Sequence, residues 1–365
     1  MFNLYPPHRS LEGAAILGDN CSRIFNVSDT VVNTLHIVMQ SHANPLGILH
    51  GGNMIRWLVD AGTLAASKVV VGYPLLAGID FIYLGKPVGV GETIAVFAWS
   101  PYAGRSSVEV GLAAYSLGRP GGQGLERVSA AHMTFVNVKP HEGVLRPHPH
   151  GSCIEAVDRE EERLLEASMK MREARVERLR GRELLRQTVY SLRESGTEPF
   201  EVESYRIVNP IDSVAYDVMH AGAMLYIVDE LGAVAALRSS AGIVVTGFVG
   251  PADFVAPMRV GEVLRMWART SYVGRSSVEV LIRSASGFMG GGEARLTSEA
   301  YLTYISLDSS GRPLEINAPR GWEPEEQALR RAEWRRRLIR SIDSGETALE
   351  PPRRFLEMLM RGRVG

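Results

Sequence analysis

Cysteine is nearly missing from this sequence: Cys21 and Cys153 are the only two in 365 residues, and they form no metal-type cluster with the nine histidines. Neither a disulfide scaffold nor a Cys-rich metal module is expected. An excess of charge is missing too. Forty basic residues against 41 acidic ones leave a net charge of -1, which argues against a strongly basic nucleic-acid-binding body. No run approaches the ~20 apolar residues that cross a bilayer, so no membrane insertion is expected. The opening MFNLYPPHRSLEGAAILGDN has neither a basic front nor a continuous apolar stretch, so no secretory signal is expected and a cytoplasmic location is the default. Apolar material is plentiful at 45%, enough for two ordinary domains each with its own core.

The sequence repeats itself. GRSSVEV occurs at 104–110 and again at 274–280, a spacing of 170. The same shift places His50-Gly51-Gly52 on His220-Ala221-Gly222, Pro87 on Pro257, Val90-Gly91-Glu92 on Val260-Gly261-Glu262, and Tyr102 on Tyr272. A register kept without a gap over this span implies a duplicated domain. In each copy a short strand (NTLHIVMQ, ESYRIVNP) leads through a loop to a helix that starts after His50 or His220. Both helices are apolar on nearly every face, so burial is expected. β-rich runs follow, with turns at Gly-Arg, as in antiparallel meanders. A buried helix wrapped by an antiparallel sheet is an α+β arrangement.

The boundaries that follow are a first domain over 1–150, a charged linker helix over 151–196, a second domain over 197–320 and a charged helical tail over 321–365. The linker, rich in Glu, Arg and Leu and without Pro, reads as a long solvent-washed helix with an interruption near Gly181. Both charged segments read as linker and brace; alternating acidic and basic residues give them no nucleic-acid signature.

At ANPLGILHGGNMIRWLVDAG and MHAGAMLYIVDELGAVAALR the chain resembles the hotdog-fold acyl-CoA thioesterases, most closely the tandem type with two hotdog domains paired as a pseudo-dimer. The likeness covers most of 30–138 and 200–306 and extends to the charged helix after each domain. It implies acyl-CoA as substrate, hydrolysed to a fatty acid and coenzyme A. It implies no cofactor beyond the coenzyme A of the substrate and, by family habit, a homo-oligomer, a trimer of double hotdogs. The family's loop asparagine matches Asn44, six residues before His50, with Gly47 between; its helix start matches His50, Gly51 and Gly52; its acid, nine residues after the histidine, matches Asp229 in the second copy.

Helix geometry independently requires two domains per site. Nine residues span about 13.5 Å and roughly 900° of rotation, half a turn off the starting face, so a helix start and its own ninth residue cannot serve one carbon. Site one then combines Asn44 and the His50-Gly51-Gly52 start with Asp229. Site two would need the equivalents Val214, Asp217, Ala221 and, for the acid, Val59. Asp60 and Glu230 lie one residue further on, about 100° around the helix, so Asp60 is not expected to stand in. One working site and one derelict pocket result.

The candidate chemistry suits a thioester. Free backbone N–H groups at a helix start stabilise a developing oxyanion, and Gly51 and Gly52 allow close approach. Asp229 is general base or nucleophile. Asn44 orients carbonyl or water, although an Asn-Pro turn also explains it; His50 reads as a loop-fixing hydrogen-bonder. The Ser or Thr that the resemblance places near the acid, on the strand after the helix, falls on Phe248, with Thr246 two residues earlier and on the same face in a regular strand. By the resemblance, Arg105, Ser106, Arg275 and Ser276 fall where the family brings the coenzyme A nucleotide and are candidate contacts for it, beside the plainer account of a hairpin turn and an alternating strand. Lys86 and Arg259 are further rim candidates. His36, His42 and His132 show no metal-ligand spacing, and no metal site is expected. The competing functions are a 3-hydroxyacyl thioester dehydratase or hydratase and a non-catalytic acyl-CoA-binding protein.

Overall fold

A computed structural model describes residues 21–119, 124–180, 202–240, 242–316 and 324–361, and the backbone of 189–191. The first half runs β1 (Arg23–Asn26), β2 (Val32–Ile37), α1 (Gly51–Val69), β3 (Tyr73–Leu84), β4 (Thr93–Ala103), β5 (Ser107–Ser116), β6 (Glu126–His141), β7 (Val144–Pro147) and β8 (Ser152–Glu155). Helix α2 (Arg159–Arg180) and the short β9 (Val189–Ser191) lead to the second half. That half runs β10 (Val202–Ile207), α3 (Ala221–Ser239), β11 (Ile243–Phe254), β12 (Val263–Val273), β13 (Ser277–Gly287) and β14 (Glu293–Leu307), followed by α4 (Glu326–Asp343) and α5 (Arg353–Arg361).

The strand order β10-β12-β13-β14-β11-β3-β6-β5-β4-β2 reads the same from either end, each half contributing its own meander. The seam is the antiparallel pair β11 and β3, with Val249 opposite Ile82 and Ala252 opposite Ile79. Each half is a hotdog unit, a central helix against an antiparallel sheet. Helices α1 and α3 pack on each other and share one apolar core with both sheets, including Ile55, Leu58, Val59, Met224, Leu225 and Val228. Helices so apolar all round have no stable alternative to burial.

The other face of the sheet carries charge, and the two long charged helices cover it. Arg175 of α2 is buried; its guanidinium pairs with Asp80 and, at 2.6 Å, with Glu109. His132 bridges Asp80 (2.7 Å) and Ser168 of α2 (2.9 Å). In the second half Arg331 and Arg335 of α4 hold Glu279 at 2.9 and 2.8 Å. These two helices are therefore not solvent-washed throughout. Each turns one stripe inward, Glu161, Leu164, Ser168 and Arg175 in α2 and Ala328, Ala332, Arg335, Leu338 and Ile342 in α4, at the three- and four-residue spacing of a helix face. Arg178 of α2 reaches over the seam to both carboxylate oxygens of Asp253 in β11. The expected interruption at Gly181 lies outside the described residues.

The ligand atoms of Asp80, Glu109 and His132 lie within 4.8 Å of one another, a metal-like grouping. Arg175 joins both carboxylates and supplies the positive charge they need.

The expectation about cysteine is corrected: Cys21 and Cys153 form a disulfide, Cα to Cα 5.8 Å. Strand β1 pairs in parallel with β8, setting Arg23 opposite Ser152. That pairing brings together residues 132 apart in the chain, a proximity invisible to local spacing.

Candidate functional site

The site is assembled at the start of α1. His50 is the N-cap, in extended conformation, and its Nδ1 accepts the Gly52 N–H at 3.0 Å. Asn53 and Met54 donate their N–H groups back to the His50 carbonyl. Of the first helical N–H groups, that of Gly51 carries no hydrogen bond among the described residues, which makes it the free donor at the positive end of the helix.

Asp229 of α3 stands at this helix start. Its Oδ2 lies 3.7 Å from His50 Nδ1, and its side chain is 2% exposed. Thr246 of β11 donates its hydroxyl to Asp229 Oδ1 at 2.6 Å, and the buried Tyr304 hydroxyl donates to the Asp229 main-chain carbonyl at 2.8 Å. The contact explains the glycine: a Cβ on Gly51 would lie 2.6 Å from both Cβ and Oγ1 of Thr246 and 3.2 Å from Asp229 Oδ2. A Cβ on Gly52 would lie 2.9 Å from the ring of Tyr226.

Burial pushes the Asp229 carboxyl above the usual carboxylate range, against the opposing pull of His50, the Thr246 hydroxyl and the Gly52 N–H. His50 Nδ1 already accepts from Gly52 and stands beyond hydrogen-bond length from Asp229. In the neutral ring the proton therefore sits on Nε2, and His50 pulls on the carboxylate only as the imidazolium.

Of the residues expected at the site, the structure brings His50, Gly51, Gly52 and Asp229 together. Asn44 sits in the loop before the helix. Its Oδ1 accepts from the N–H groups of Leu46 (3.0 Å) and Ile48 (3.3 Å), so the turn-forming role is real and uses the oxygen. The Nδ2 protons remain for another partner. Gly47, at φ +74°, completes the same loop.

Thr246 and Phe248 do not share a face, which corrects the regular-strand expectation. The pairing of β11 with β14 shifts register between them, and the bulge turns Thr246 towards Asp229. Phe248 instead packs with Phe81 and Trp334 on the outer side. Tyr226, with its ring 5.3 Å from that of His50, and Tyr304 were not anticipated. The position equivalent to Tyr226 is Arg56, and that contrast is the one signal that could have found it.

The candidate coenzyme contacts lie on hairpin turns. Arg105 and Arg275 are exposed, Ser106 is buried and Ser276 half-buried. The carbonyls of Ser106 and Ser276 accept N–H groups of Asn137 and Ser306, so both turns are also tied into the sheet. Lys86 pairs with Glu126, and Arg259 donates to the Gly143 carbonyl at 3.3 Å.

At the start of α3 the equivalents of Asp229, Thr246 and Gly51 are Val59, Leu76 and Ala221. Asp60 lies 3.4 Å from His220 Nε2, but its side chain is 43% exposed. It stands at the rim and not at the buried position that Asp229 occupies. The His220 imidazole is held below its ordinary pKa by burial, with Asp60 opposing the shift.

A family model described as the thioesterase superfamily matches residues 216–284, which include Asp229 and Thr246. Acyl-coenzyme A thioesterase 11 of Mus musculus is 28% identical over 120 residues, 33% of this chain and 20% of that protein. The cytosolic acyl coenzyme A thioester hydrolase of Rattus norvegicus is 23% identical over 297 residues, 77% of this chain and 75% of that protein. Protein VdlD of Helicobacter pylori is 32% identical over 142 residues, 37% of this chain and 79% of that protein. The chain thus spans a fifth of the length of the mouse relative and three quarters of the rat one.

Proposed function

Because the chain belongs to the thioesterase superfamily, we propose that it is an enzyme that hydrolyses acyl-CoA thioesters to a carboxylic acid and coenzyme A at one site between its two halves. The observation that carries this reading is the meeting of the α1 start with Asp229 and Thr246 from the opposite half, with Asp229 Oδ2 3.7 Å from His50 Nδ1 and no room for a Cβ on Gly51 beside Thr246. The acyl-CoA hydrolase names borne by the rat and mouse relatives support the substrate class.

In this reading the thioester carbonyl oxygen lies against the Gly51 N–H, where the helix dipole and the free donor stabilise the oxyanion. The Asn44 Nδ2 protons orient the carbonyl or the water. As general base, Asp229 takes a proton from water while the oxygen attacks the carbonyl carbon; the C–S bond then breaks and the thiolate leaves, taking up a proton. As nucleophile, Asp229 Oδ2 attacks instead, expelling the thiolate and leaving an anhydride that water opens. Thr246, by donating to Oδ1, leaves Oδ2 for either task. Arg105, Ser106, Arg275 and Ser276 would meet the coenzyme A nucleotide, and no cofactor beyond the substrate's own coenzyme A is required.

The same reading includes a cytoplasmic location and a trimer of double hotdogs. Exposed apolar side chains on the two edge strands support assembly: Leu35 and Ile37 on β2, Tyr205 and Ile207 on β10. In a reducing cytoplasm the Cys21–Cys153 pair would be held as thiols in most cells, so alkylation before lysis reports the compartment. Light scattering at three times 40.0 kDa would support the trimer.

The deciding experiment is thiol release from a panel of acyl-CoAs by the wild-type chain and by Asp229→Asn. Release by the first and not the second is expected. Equal release by both would overturn the assignment of the site, and no release by the wild type would overturn the activity. Single-turnover hydrolysis in ¹⁸O-water then tests the nucleophile: an unlabelled Asp229 oxygen in the product acid, released when water opens the anhydride at the aspartyl carbonyl, is an outcome the general-base route never gives.

A further inference from the structure

We propose that the cleft at the start of α3 is an acyl-group binding site that holds its ligand without cleaving it. The proposal rests on the acyl-CoA reading above and gives its second, chemically silent interface a task.

The cleft is a narrow slot with about 50 Å³ of free volume, widening into a mouth open to solvent. Its wall is apolar where site one is polar. Val59, Leu76 and Ala221, which replace the acid, the hydroxyl donor and the helix-start glycine, all line it, with Phe254 and Met258 beyond. Three coordinated replacements do more than remove chemistry: they coat with hydrocarbon the spot where the reacting carbon would have been held. An alkyl chain gains from that surface, whereas a polar carbonyl finds no donor there.

A polar compartment with about 160 Å³ of free volume adjoins it, sharing Val214 and His220 and lined further by Arg56, Asp60 and Ser213. Arg56 stands where site one has Tyr226, beside the α3 start: a Cβ on Gly222 would lie 3.2 Å from its Cγ. Among the described residues the Arg56 guanidinium has no hydrogen bond or ion pair. The ligand that fits is amphipathic, an acyl chain in the apolar part with its head beside His220 and Arg56.

The loop over this cleft differs from the one before α1, with two consecutive residues at positive φ where the first loop has one. Asp217, at φ +53°, occupies the place of Gly47, and Tyr216 beside it is at φ +62°. Neither is a glycine, so both are strained. Tyr216 makes an edge contact with Tyr73, which lines the cleft.

Two probes distinguish the sources of the acyl group: a long-chain fatty acid, whose carboxylate Arg56 would meet, and the uncleavable S-alkyl-CoA thioether. Calorimetric titration is run on the full chain, in the wild type and in Ala256→Trp, which fills the cleft from its partly exposed edge. Two thioether molecules per wild-type chain, falling to one in Ala256→Trp, would show that site two takes the thioester form. One fatty acid per chain, lost in Ala256→Trp and weakened about tenfold in Arg56→Ala, would show that it takes the acid. One thioether and no fatty acid per wild-type chain overturns the proposal. If Ala256→Trp fails to fold, Thr63→Phe fills the opposite wall and is read the same way. Thiol release is measured alongside: a wild type that binds two thioethers and hydrolyses nothing refutes the enzymatic reading and not this one.

Discussion

At the start of α1 the protein places Gly51, Asp229 and Thr246; at the start of α3, in the same backbone setting, it places Ala221, Val59 and Leu76. The duplication kept helix, loop and seam and exchanged side chains, so fold and chemistry can be varied separately. The outer face shows the opposite behaviour. Glu109 and Glu279 occupy the same place in the repeated GRSSVEV and are both buried under an arginine-bearing helix. Shared residues mark architecture; divergent ones mark function.

The strongest test of that division is Asp229→Asn. Acyl-CoA hydrolysis should fall by about 10²- to 10⁴-fold, the usual worth of a positioned base, while the fold should not weaken at neutral pH. The sign follows from burial: a carboxyl whose pKa is raised on folding contributes stability only below the unfolded value of about 3.9 and opposes folding at higher pH. Denaturant titrations should therefore show the variant at least as stable as the wild type at pH 7, with the advantage gone by about pH 3. A large loss of stability at pH 7 would mean that Asp229 is a structural residue.

The architectural side breaks at Arg175→Met, which leaves buried Asp80 beside His132 and buried Glu109 with the looser 3.7 Å contact of Arg172. A loss of about 3–5 kcal/mol in urea denaturation is expected. Arg335→Met should cost less, because Arg331 still faces Glu279 at 2.9 Å. Equal losses would deny the difference between the two anchors.

A smaller effect is expected of Thr246→Val. It removes a hydrogen bond that favours the charged carboxylate, so the Asp229 pKa rises further and the acid limb of the pH–rate profile moves to higher pH. A shift to lower pH would contradict the assigned donor. Smallest of all is Val59→Asp. It restores the acid to site two but neither the amide lost at Val214 nor the open helix start lost at Ala221, so thiol release should not change. A clear gain would show that the second interface needs only an acid.

Much of this was legible in the sequence. The repeat gave the two halves; the resemblance pointed to Asp229, and helix arithmetic added that it could not serve its own helix start. Both central helices begin where the His-Gly and His-Ala pairs indicate. Three things were hidden for physical reasons. Alternation in SVEV correctly sends the glutamate to the far face of the strand, but no local pattern reveals that a helix more than sixty residues downstream covers that face. The bulge that separates Thr246 from Phe248 depends on pairing with β14, not on the strand itself. The disulfide depends on a parallel pairing between distant segments.

The seam between β3 and β11 has one more consequence. Were two first halves to dimerise through it, His50 would face a valine; were two second halves to do so, Asp229 would face a helix that opens on Ala221, with no loop asparagine nearby. Neither half is an enzyme in duplicate. On the proposed reading, activity is complementation made permanent by a covalent tether, with helix α2 clasping Asp253 from across the junction.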